Sequence, residues 1–194
     1  MGPRHAGLCT YLLEPKNWLF VTVVMTGWHV GGLAGLCWGL VAALFTAVLP
    51  TVFIGYGMRR GRWSDRNVGE RRPRVAVLGF IAASVAAGLI VLAAGGAPRL
   101  LTGYLAFMLA SVAVLAAVTT VWKISIHCAV ASGSVAILAF SFGPPVLACY
   151  LLVALLAWSR VTLGDHTIAQ AAAGAVLGAA AAAVAYLMLA HPSS

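Results

Sequence analysis

Apolar residues in this chain come in long unbroken runs, with neither the narrow stripe of a surface helix nor the alternation of a half-buried strand, and short polar stretches divide them. Residues 18–58, 75–97, 100–122, 128–159 and 167–190 carry no Asp, Glu, Lys or Arg. A helix needs about 20 apolar residues to cross the hydrocarbon core of a bilayer, and every run meets that length. Strands of a membrane barrel would alternate apolar and polar positions, whereas residues 112–118 and 179–183 are apolar on every face. The pattern therefore predicts helices. The run 18–58 would be roughly 60 Å long as a single helix, twice the apolar thickness of a bilayer, so it is expected to fold back near residues 31–36. The run 128–159 contains Gly143, Pro144 and Pro145, whose missing donors and fixed φ favour a break between two short spans.

Seven crossings follow, or six if one hairpin is re-entrant. The expected fold is all-α, a polytopic transmembrane helix bundle, and a single domain over residues 1–194, because no linker or low-complexity tract separates the runs. Glycines at 27, 31, 35 and 39, and again at 174 and 178, recur every fourth position, a spacing that lets helices approach closely in lipid. Residues 1–17 carry Arg4, Glu14 and Lys16 without an apolar core of their own and are not read as a cleavable leader.

Composition supports a lipid solvent: 62% of residues are hydrophobic, 8% are charged, and the mean hydropathy is +1.01, far from a soluble domain. The net charge of +8 could suggest nucleic acid, but Arg59, Arg60, Arg62, Arg66, Arg71, Arg72 and Arg74 occupy one short loop, where a positive-inside signal also belongs. No nucleic-acid partner is expected. Cys9, Cys37, Cys128 and Cys149 have no paired metal spacing, and the few carboxylates form no cluster suited to magnesium. Neither a metal nor another cofactor is expected.

The remaining polar residues gather at run ends. In the seven-span arrangement the arginine-rich loop follows two crossings, residues 123–127 follow four, and residues 160–166 follow six. An even number of crossings returns each to the same face. Lys123 and Arg160 then join Arg66 and Arg72 as candidate anion ligands, with Ser125 beside them. His127 and His166 add two groups able to attack or to transfer protons. Such a set meets the needs of phosphoryl transfer.

These residues carry a resemblance. The stretch Ser159-Arg160-Val161-Thr162-Leu163-Gly164-Asp165-His166-Thr167-Ile168-Ala169-Gln170 resembles the third signature of the type-2 phosphatidic acid phosphatase superfamily, Ser-Arg-x5-His-x3-Asp. Lys123-Ile124-Ser125-Ile126-His127 is similar to the second, Pro-Ser-Gly-His, and Arg72-Pro73 to the end of the first, Lys-x6-Arg-Pro. The resemblance spans residues 65–178. It implies a metal-independent hydrolase of lipid or isoprenoid phosphates or diphosphates, in which His166 attacks phosphorus, His127 protonates the departing oxygen, and Arg72, Ser125 and Arg160 hold the phosphate. Arg66 and Lys123 would supply the charge of the family lysine, whose place is taken by Asp65. Gln170 stands where the family has aspartate; one helical turn from His166, its amide oxygen can still orient the ring. Two other readings stay open: different chemistry on a prenyl diphosphate or phospholipid, such as ionisation or head-group transfer, and a non-enzymatic membrane protein with an inert pocket.

Orientation follows from counting cations. The face holding the N-terminus and the three polar clusters carries Arg4, Lys16, the seven loop arginines, Lys123 and Arg160, against Arg99 alone on the other. The positive-inside bias puts the site on the cytosolic face, with the cell membrane as the expected location. Single cysteines introduced as Asn67→Cys and Ala97→Cys in a cysteine-free background test this: an impermeant maleimide applied to intact cells should label position 97 and spare position 67, and the reverse pattern overturns the orientation.

Overall fold

The computed structural model describes residues 2–62 and 71–190, and these are helical almost throughout, with no strand among them. A short N-terminal helix, α1 (Pro3–Leu12), leads into α2 (Pro15–Ala43), a π-helical turn (Leu44–Val48) and α3 (Leu49–Arg59). Then come α4 (Arg71–Ala94), α5 (Arg99–Val121) and α6 (Ile126–Phe142). A 3-10 turn (Pro144–Cys149) precedes α7 (Tyr150–Thr162), and α8 (Ile168–Ala190) ends the described chain. Among the described residues, five helical stretches are long and apolar enough to cross a membrane: Arg4–Arg59, Arg74–Ala94, Arg99–Val121, Pro144–Thr162 and Ile168–Met188. The shorter apolar α6 lies between the third and fourth of them.

The first of these stretches reverses direction inside α2. Gly32 has φ 53° and ψ −132°, a conformation open to glycine and strained for any other residue. In a straight helix Gly27 and Gly35 would be about 12 Å apart. Here a Cβ on either would strike the carbonyl of the other, and a Cβ on Gly39 would come within 2.7 Å of the Val23 carbonyl. The two arms thus pack backbone on backbone, which explains the four-residue glycine spacing, and the turn falls inside the predicted window. The second predicted break also occurs: α6 ends at Gly143, with φ 95°, before the 3-10 turn.

Pro50 accounts for the π-helical turn. With no N–H it cannot bond the Thr46 carbonyl, and its ring crowds that carbonyl, so the helix widens by one residue over Leu44–Val48. Ser84 on α4 donates to the Phe45 carbonyl at 2.6 Å, while Thr46 and Thr51 donate to the carbonyls one turn back, at 2.9 and 2.7 Å. Every hydroxyl here is used to satisfy backbone, as a water-free environment requires.

The tightest contact in the bundle joins α6 and α8. A Cβ on Gly174 would strike the Ser125 carbonyl and one on Gly178 the Ala129 carbonyl. Ser132 donates across to Ala175 at 2.7 Å, and the Ser125 amide donates to the Gln170 carbonyl at 3.2 Å. Trp18, Val135, Val153 and Leu156 fill the space between α2, α6 and α7. Val23, Leu92, Leu101 and Leu105 form a second core with Ala182 and Ala185.

The hairpin gives a direct test. Gly35→Ala places a methyl group inside the Gly27 carbonyl and should destabilise the protein by about 1–3 kcal/mol, lowering its melting temperature in detergent. Gly55→Ala, where a Cβ meets nothing within 4 Å, should be neutral or gain up to about 1 kcal/mol. Equal melting of Gly35→Ala and wild type would contradict the packing of the arms.

Candidate active site

The site is assembled from helix ends. At the start of α6, Ser125 is fully buried and accepts the Cys128 amide at 3.4 Å as the N-cap. His127 follows in the first turn. The end of α7 carries Arg160, which is 2% exposed and pairs through Nη1 with Asp165 Oδ2 at 3.0 Å. Its carbonyl accepts the amides of Asp165 and His166, at 3.1 and 3.3 Å, around Gly164 with φ 74°. This closed turn presents His166 at the entrance to α8.

The first turn of α8 explains Gln170. Thr167 Oγ1 accepts the Gln170 amide at 3.3 Å, and Gln170 Oε1 accepts the Thr167 amide at 3.1 Å. That is a reciprocal capping box. The same Oε1 lies 3.3 Å from His166 Nδ1. Because Oε1 is an acceptor there, Nδ1 must carry the proton, and Nε2 is left with its lone pair. Gln170 thus selects one tautomer of His166 while capping the helix.

His127 and His166 line one cleft with Arg74. Glu14 and Lys16 line it as well, paired with each other at 2.5 Å, and Thr46, Pro50 and Thr51 border it at the π-helical turn. The apolar walls include Leu19, Met108, Val112, Leu115 and Val130. The same five residues border a second cavity, which continues between α5, α6 and α8 and is lined by Tyr104, Ile137, Leu177 and Ala185.

The predicted residues fall into distinct positions. His127 and His166 come together on the cleft, and Gln170 holds His166. Ser125 is committed to capping. Arg160 is buried behind the cleft, and Lys123 is exposed on the turn before α6; both cations still act on His166 through their charge. Arg72 lies in the first turn of α4, with its side chain outside the described residues, and Arg66 is outside them altogether. Sequence reasoning missed Arg74, Glu14 and Lys16 as cleft residues. Arg74 lies two positions after Arg72, and a helical reading from residue 71 would have put the two on different faces.

Burial holds His166 down at a pKa of about 4; the nearby charges of Arg160, Lys123 and Arg74 push the same way, and the Gln170 bond opposes them. The ring is therefore neutral at pH 7, with the Nε2 lone pair available beside these cations. Comparison with family models, with characterised proteins and with solved structures finds no match for this chain.

Two consequences are measurable by NMR on histidine-labelled protein. His166 should titrate near 4 rather than near 6.5, losing its neutral form only as the pH falls through that value. In Gln170→Asp a carboxylate next to Nδ1 favours the imidazolium, so the midpoint should move upward by about one to two units. A midpoint for wild type at 6.5, or no movement in the variant, would contradict this arrangement.

Proposed function

We propose that the chain is an integral membrane phosphohydrolase that cleaves a lipid or isoprenoid phosphate or diphosphate through a phosphohistidine on His166, without a metal ion. One observation carries this reading: two histidines and Arg74 line a cleft whose walls continue into an apolar cavity. A phosphate with a greasy tail matches both halves. The resemblance of residues 65–178 to the type-2 phosphatidic acid phosphatase superfamily points the same way.

In this mechanism the phosphate dianion settles among Arg74 and the cations of the arginine-rich segment, with Lys123 and Arg160 adding field from outside the cleft. The dianion also supplies the counter-charge that allows His127 to carry a proton. His166 Nε2 attacks phosphorus, the bond from phosphorus to the lipid oxygen breaks, and His127 gives its proton to that oxygen. Gln170 Oε1 accepts from Nδ1–H throughout and keeps Nε2 aimed. Water then attacks the phosphohistidine, His127 takes the water proton, and inorganic phosphate leaves. Negative charge building on the equatorial oxygens meets fixed positive charge, the largest usual contribution to such catalysis.

The arms of α2, the helices α4 to α6, the stretch containing α7 and the helix α8 fit seven crossings of the cell membrane. In that arrangement α1 and the cleft share a face, in keeping with Glu14 and Lys16 on the cleft wall, and the cation count orients that face to the cytosol.

Purified protein in detergent, without added metal, should release phosphate from at least one of phosphatidic acid, phosphatidylglycerol phosphate and prenyl mono- and diphosphates. His166→Ala should lower turnover by at least about 10³ with little change in melting temperature, and vanadate, a mimic of the five-coordinate phosphoryl species, should inhibit competitively. Activity retained in His166→Ala removes the nucleophile assignment; indifference to vanadate removes the phosphatase reading.

A further inference from the structure

The mechanism above gives α1 no part, yet α1 packs on the end of α7 that carries Arg160. Ala6 and Thr10, one turn apart on α1, are both buried there, as is Ser159. Ser159 Oγ donates to the Ala6 carbonyl at 2.6 Å, and Thr10 Oγ1 lies 2.5 Å from the same Oγ. A serine hydroxyl has one proton. Since it goes to Ala6, Thr10 must be the donor in the second bond. The result is a relay from Thr10 through Ser159 to the Ala6 carbonyl, sealed from water, where such chains strengthen one another.

Ser159 adjoins Arg160, whose carbonyl closes the turn to Asp165 and His166 and whose guanidinium pairs with Asp165. The relay therefore anchors one end of the segment that presents His166. On its outer side α1 exposes Leu8, Tyr11 and Leu12 together with Arg4, the composition of a helix lying in a membrane interface. Beyond α1 the chain runs directly into Glu14 and Lys16 on the cleft wall.

We propose that Thr10 is a positioning residue: through Ser159 it fixes the Arg160–His166 turn to an interface-seated α1 and so holds His166 in register with the cleft. The catalytic consequence rests on the phosphohydrolase reading, whereas the relay itself does not. A misplacement of about 1 Å at a reacting atom can cost on the order of a hundredfold in rate.

The test uses the full chain in lipid nanodiscs, comparing wild type, Thr10→Val and Thr10→Ser. Valine keeps the shape and removes the donor; serine restores it. Hydrogen exchange at the Asp165 and His166 amides should quicken by about tenfold or more in Thr10→Val and return towards wild type in Thr10→Ser. On a substrate that wild type turns over, kcat should fall about 10- to 100-fold in Thr10→Val with KM changed less than about threefold. Ser159→Ala should reproduce both effects if Thr10→Val fails to fold. Unchanged exchange at these amides overturns the relay, and faster exchange with unchanged kcat overturns the positioning role. Wild type that neither turns over a phosphate ester nor binds vanadate defeats the phosphohydrolase reading instead, and the exchange result still decides whether Thr10 holds the turn.

Discussion

The close approach of α6 and α8 is the constraint on which the cleft depends. Gly174 and Gly178 rest directly on the carbonyls of Ser125 and Ala129, where any side chain would force the helices apart. In a bilayer there is little hydrophobic drive to join two apolar helices, so contact has to come from packing and from bonds across the interface. The Ser132 hydroxyl and the Ser125 amide supply such bonds. Because α6 starts next to His127 and α8 next to His166, this contact also sets the spacing of the two histidines on the cleft. These glycines thus set the spacing of the helix ends that carry His127 and precede α8 at His166.

Charge is arranged around that frame so that cations surround a neutral His166. Burial and the fields of Arg160, Lys123 and Arg74 keep His166 neutral. Arg160 is tolerable in so buried a position because Asp165 is its partner and the turn wraps its carbonyl; an isolated buried guanidinium would cost several kcal/mol. Such a field favours an anion over a cation at the cleft.

The polar end and the apolar body are joined by shared walls. Leu19, Met108, Val112, Leu115 and Val130 border both the histidine cleft and the cavity between α5, α6 and α8. The π-helical turn forced by Pro50 lies on the same cleft, where one extra residue displaces the backbone sideways.

What could be read from the sequence alone was whatever is encoded within a turn or two. The helices followed from runs too long and too uniform for strands; the first break followed from the length of the run 18–58, and the second from Gly143, Pro144 and Pro145. The pairing of His166 with Gln170 followed from their spacing of four residues, although the capping box with Thr167, which gives Gln170 its second task, went unnoticed. Other features had no local signature. Glu14, Lys16 and Arg74 reach the cleft because of how α2 and α4 are rotated, and that rotation is set by packing between distant segments. Ser125 and Arg160 looked like phosphate ligands by type, yet the fold commits one to a helix cap and buries the other against Asp165. The bond from Thr10 to Ser159 joins residues 149 positions apart, a distance over which no periodicity carries information. Local rules determined the helices and their ends; only tertiary packing decided which polar groups face the cleft, because helix rotation depends on contacts that the chain makes with itself after it folds.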